Sequence, residues 1–114
     1  MSRTKELQRL AEVAQVMLDH RLGQLRAAAT ELERSRMQLA AINAAAGPSE
    51  ELGPVISERV AIAYARWADT RRSELNLVIA RQTASWIDSR SEAQTAFGRV
   101  QALQGLAARL RERK

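Results

Sequence analysis

A chain of 114 residues has room for one domain, and its 46% hydrophobic content holds only 4% aromatics and much alanine. That balance argues against a thick globular core and for a thin seam between helices, which alanine both forms well and lets close tightly. The absence of cysteine excludes a disulfide framework and thiol chemistry, and the excess of 18 basic over 13 acidic residues, net +5, hints at an anionic partner and no more.

The first twenty residues alternate charged and apolar side chains without a continuous apolar run, so they do not read as a secretory signal. The longest apolar run, Val60 to Ala65, is too short to span a bilayer. A soluble, cytoplasmic protein is the expectation, peripheral to a membrane at most. Ser2 or Thr4 is placed to cap a first helix, with Glu6 near its positive end. This helix is expected over about 3–46. Within it Thr4, Ala11, Leu18, Leu25, Leu32 and Leu39 recur every seven residues, and Leu7, Ala14, Arg21, Ala28, Ser35 and Ile42 fill the positions three further on. These are the a and d rows of a heptad repeat.

A break follows at about 47–54, where Gly47-Pro48 stops one helix and Gly53-Pro54 precedes the next. Ser49-Glu50-Glu51 could add one turn between them. Pro54 at a first helical position, or Ser57 as a cap, opens a second helix over about 55–113. Its rows are Ile79, Trp86, Ala93, Val100 and Ala107, with Leu75, Gln82, Ser89, Ala96, Leu103 and Leu110. Before Leu75 a strict register would bury only Ala61, Ala65, Ala68 and Arg72, whereas Val60, Tyr64, Trp67 and Arg71 form a competing row of larger residues. A register shift near residues 68–75 is therefore expected. Trp67 and Trp86 read as seam anchors.

The fold class this predicts is all-α: two long helices in an antiparallel coiled-coil hairpin forming a single unit, helix two longer and overhanging at the terminal end. With the break as the tip, facing residue numbers sum to roughly 95 to 105 at 1.5 Å of rise per residue. Leu39 then meets Val60, Leu25 meets Leu75 and Ala14 meets Trp86. Helix one would run out opposite about residue 96, leaving about 22 Å of helix two unpaired. That stretch carries Val100, Leu103, Leu106 and Leu110. At the same end Leu10, Val13, Val16 and Met17 lie beside or outside the seam of helix one. Each leucine fully buried there would contribute about 1.5–3 kcal/mol, so a protein-binding end is predicted, with Arg109, Arg111 and Arg113 supplying charge.

Catalytic chemistry has little support. His20 is the sole histidine, and Asp19 beside it points about 100° away on a helix, so no catalytic, cofactor or metal site is predicted. The acidic pairs Glu31 with Glu33 and Glu50 with Glu51 have no apolar surroundings to retune them, and phosphate-loop, nucleophile-elbow and zinc-helix signatures are absent. The basic ending lacks the interleaved aromatics of a single-strand binder. An enzyme with a small-molecule substrate and a nucleic-acid binder are both disfavoured.

The Leu7-x2-Leu10 start, the mid-chain Gly/Pro break, Trp67, Leu75, Ile79, Gln82, Trp86 and Ala93, and the ending RVQALQGLAARLRER resemble the FliJ family of flagellar export proteins and the similar YscO proteins of injectisomes. The resemblance spans the chain and implies a cytoplasmic stalk whose terminal end enters the pore of a hexameric export ATPase while the other end reaches toward the membrane export gate. Leu10, Val13, Met17, Leu103, Leu106 and Leu110 would form its bearing surface, with Arg109, Arg111 and Arg113 meeting acidic pore loops. The rival expectation is a structural adaptor whose hairpins dimerise into a four-helix bundle, so that the protein is a monomer or a homodimer. A small secreted hairpin of the WXG type lacks its tryptophan-x-glycine turn here.

Overall fold

The computed structural model describes residues 2–45 and 53–113. It forms two long α-helices in a helical hairpin: α1, Ser2–Ala44 (43 residues), and the longer α2, Pro54–Glu112 (59 residues). Since α1 begins at Ser2, Thr4 lies inside it rather than capping it, and its first turn holds no acidic residue. The α1 end comes two residues before the expected one, where the Ala45 amide donates back to the Ile42 carbonyl at 3.4 Å. At the start of α2 the Gly53 carbonyl accepts the Ser57 amide at 2.8 Å, which makes Gly53 the cap and Pro54 the first helical residue, where a missing N–H costs nothing. The last turn of α2 carries Arg109 and Arg111, favourable against the helix dipole. The expected turn at Ser49-Glu50-Glu51, and most of the connection, lie outside the described residues.

The chain divides into two compact units: Met1–Ala29 with Ala84–Lys114, here unit 1, and Thr30–Thr83, here unit 2. In unit 1 Ala14, Leu18, Ala96 and Val100 form a buried cluster, with Leu22 and Leu103 packed against it. In unit 2 Ile42, Ala68 and Leu75 form another, backed by Leu39 and Tyr64. The α1 residues that lose exposure are those of the two heptad rows from Leu7 onward, with Leu22 and Gly23 added, while Thr4 stays exposed. From Leu75 to Leu110 the α2 rows likewise turn inward.

Before Leu75 the two competing rows share the seam. Ala61 and Ala68 come from one, Tyr64 from the other, and Ala65, Val60 and Trp67 are left exposed. Arg71 with Arg72, Val78 with Ile79, and Gln82 with Thr83 are adjacent pairs in which both members are half-buried. Such doublets mark the drift of the seam by one position. Trp67 is thus no anchor; it lies against the Tyr64 ring, centroids 5.7 Å apart.

The slide of one helix along the other differs from the expected one. Ala14 packs with Ala96 and Val100 rather than Trp86, and Leu39 with Leu75 rather than Val60. Arg21 bonds Glu92 at 2.8 Å, and the Arg72 Nε donates to the Asn43 Oδ1 at 2.8 Å, pairs whose numbers sum to 113 and 115. Thr4 and Leu7 share a groove with Ala107, Leu110 and Arg111. The terminal end of α2 is therefore paired to its last turns, and the unpartnered overhang expected there is absent. The surplus length of α2 falls at its start, where Ile42 of α1 already meets Tyr64, whose hydroxyl donates to the Ile42 carbonyl at 3.4 Å.

The slide is compatible with close packing. It sets Leu18 against Ala96 and Val100 against Ala14, large beside small, so the helices approach closely. Two heptads along, the same register brings Ala28 level with Trp86, both half-buried.

Candidate protein-interaction groove

The seam of unit 1 has two flanks. On one, Leu10, Val13, Met17, Ala102 and Leu103 line an open hollow of about 350 Å³, with Arg99 on its rim. Leu10 continues into a second hollow of about 330 Å³ with Leu106, Leu110, Arg3 and Glu6. The shared Leu10 makes one apolar groove of the two. Its geometry follows from helix periodicity: Leu10 lies three residues past seam residue Leu7, Met17 a heptad past Leu10, and Leu106 three past seam residue Leu103. These side chains flank the seam without closing it, so Leu10 and Val13 remain more than half exposed. The opposite flank, lined by Thr4, Gln8, Gln104 and Arg111, is more polar.

Each predicted binding residue has a definite place. Leu10, Val13, Met17, Leu103, Leu106 and Leu110 converge on the apolar groove. Val100 does not: it is 5% exposed in the core of unit 1, because its stretch of α2 is paired. Arg111 lines the opposite flank, and Arg109 and Arg113 are exposed without lining either hollow. Arg3, Glu6, Arg99 and Ala102 are the groove residues that sequence reasoning passed over. Arg99 stands four residues before Leu103 and seven before Leu106, a spacing that places it on their side of α2 but makes it a groove residue only with α1 alongside.

The side chains of Arg3 and Arg99 form no ion pair or hydrogen bond among the described residues. By contrast Arg21, at the far end of the groove, is held by Glu92 and by Gln24. The rim positive charge is therefore open to a partner.

Unit 2 exposes apolar side chains of its own, Val55, Ile56 and Ile62 among them, on the first turns of α2. Among the described residues no group of three histidine, cysteine or acidic side chains could hold a metal ion, and no helix is long and apolar enough to cross a membrane. His20, Glu31 and Glu33 are exposed; Glu50 and Glu51 lie outside the described residues. Compared with protein-family models, curated proteins and solved structures, the chain matches none.

Proposed function

We propose that the chain is a non-enzymatic helical-hairpin component of a flagellar or type III export apparatus, acting in the cytoplasm as the stalk of a hexameric export ATPase and coupling it to the export gate. The observation that supports this is the apolar groove of unit 1, open along its length and edged by Arg3 and Arg99, which have no partner among the described residues. A stalk in a ring must make contacts that exchange among near-equivalent subunits. Shallow aliphatic surface gives attraction without directional bonds, and long arginine stems let charge follow the surface opposite. The support comes from this groove and not from an unpaired helix end.

The test is hydrolysis by the purified export ATPase of the source organism with and without the protein. Truncation at Ala96 would remove Val100 from the core and so confound binding with folding. Leu10→Asp with Leu106→Asp is the better variant, since both side chains stand about half exposed, at 54% and 47%. Loss of stimulation by about tenfold or more, the effect of removing central interface anchors, is expected while circular dichroism stays helical. Stimulation unchanged in the double variant overturns the proposal.

A further inference from the structure

We infer that the groove of unit 1 receives an acidic amphipathic helix, which lies along the seam as a third helix of the bundle. The inference rests on reading this groove as a partner-binding surface, and not on the stalk role. Its first ground is how charge is divided. Unit 1 contains eleven basic and six acidic residues and unit 2 seven of each, so the whole net charge of +5 belongs to the unit with the groove. Arg3 and Arg99 line the groove itself, and neither has an acidic partner among the described residues. Sixteen of the 18 basic residues in the chain are arginine, the side chain that grips carboxylates in pairs of parallel hydrogen bonds.

The groove's form selects a helix. Leu10, Val13 and Met17 follow one another at helical spacing along one wall, and Leu103, Leu106 and Leu110 along the other, the arrangement that takes an apolar stripe repeating at i, i+3 and i+7. Ala102 is small enough for a third backbone to come close. From Arg3 to Met17 the groove runs about 21 Å at helical rise, the length of about four helical turns. Leucine on the stripe and glutamate on its edges would meet the leucines and arginines in turn.

Two other occupants fit less well. A second copy of the chain in this groove would bring Arg3 and Arg99 toward a surface of the same sign, which is repulsive at close range. A bilayer favours an apolar face free of acidic side chains, whereas this surface includes Glu6.

The probe is a fluorescein-labelled amphipathic peptide of about four turns, with leucine at i, i+3, i+7 and i+10 and glutamate along the flanks. Controls carry lysine for glutamate or serine for leucine. Fluorescence anisotropy with the full chain is expected to show binding of the acidic peptide alone, weakened about tenfold or more by Arg3→Glu with Arg99→Glu and by Leu10→Ser with Leu106→Ser. Circular dichroism should show all variants helical. Equal binding of the lysine peptide, or indifference to Arg99→Glu, overturns the inference. So does the absence of peptide binding, including the case where the chain floats with phosphatidylglycerol vesicles through Leu10 and Leu106, which identifies a lipid surface. Peptide binding without ATPase stimulation removes the stalk role and leaves the helix; stimulation without peptide binding does the reverse.

Discussion

Gln82 occupies a seam position of α2, and its side-chain oxygen is buried without a hydrogen-bond partner among the described residues. An orphaned acceptor costs about 1–3 kcal/mol, a large share of the stability of a thin two-helix seam. Leucine of similar volume would remove the penalty and add apolar burial. Gln82→Leu is therefore expected to raise the unfolding free energy by about 1–2 kcal/mol in urea titration, with an unchanged m value. A fall in m, or a second species, would show that the glutamine instead holds the helices in one register, as a polar seam residue can. The Arg21–Glu92 pair should matter less, despite its 2.8 Å contact, because its side chains are 35% and 52% exposed. Glu92→Gln is expected to cost less than about 1 kcal/mol in the same titration.

At the scale of the helices, the heptad rows were legible because burial recurs every three or four residues whatever the partner, and Leu18, Leu32, Ala93 and Ala96 all turn inward as their spacing requires. The slide was not legible. Moving one helix by a heptad keeps every a and d residue at the seam, so periodicity alone cannot choose between Trp86 and Val100 as the neighbour of Ala14. The ambiguity reaches the site through Val100, which is free surface only in a register that leaves its stretch of α2 unpaired, and is buried in this one. Leu10, Val13 and Met17 were readable because they exceed what the seam can bury, whereas Arg99 and Ala102 become groove residues only once α1 is laid beside them. Cysteines at Ala14 and Ala96, which share one cluster, are expected to cross-link under mild oxidation. Cysteines at Ala14 and Trp86 should not, since ten residues of helix is about 15 Å. Cross-linking of the second pair alone would restore the shorter register. Gly98 and Gly105 offer a further check on α2, because a Cβ at either meets nothing within 4 Å. Alanine at each should stabilise the hairpin by about 0.8–1.0 kcal/mol in urea titration through helix propensity. A loss of stability would reveal a close approach on that face.

For the molecule as a whole, the uneven charge bears on self-association. A dimer built through the apolar groove would bring together two units that each hold +5, and at about 0.1 M salt, where screening extends about 10 Å, much of that repulsion survives across an interface. Apolar surface favours the dimer and charge opposes it, so ionic strength should decide between them. Sedimentation equilibrium is expected to give a monomer of 12.7 kDa at about 0.1 M salt, with any dimer appearing only near 1 M, where the screening length falls to about 3 Å. A dimer that persists at low salt and is lost in Leu10→Asp with Leu106→Asp would mean that the groove is filled by a second copy. The hairpin would then be the structural adaptor, closing into a four-helix bundle, and the groove would be closed both to an ATPase ring and to an acidic helix. A low-salt monomer instead leaves the aliphatic surface and the arginines along it, Arg3 and Arg99, to a partner of opposite charge, the condition that both the stalk role and the third-helix inference require.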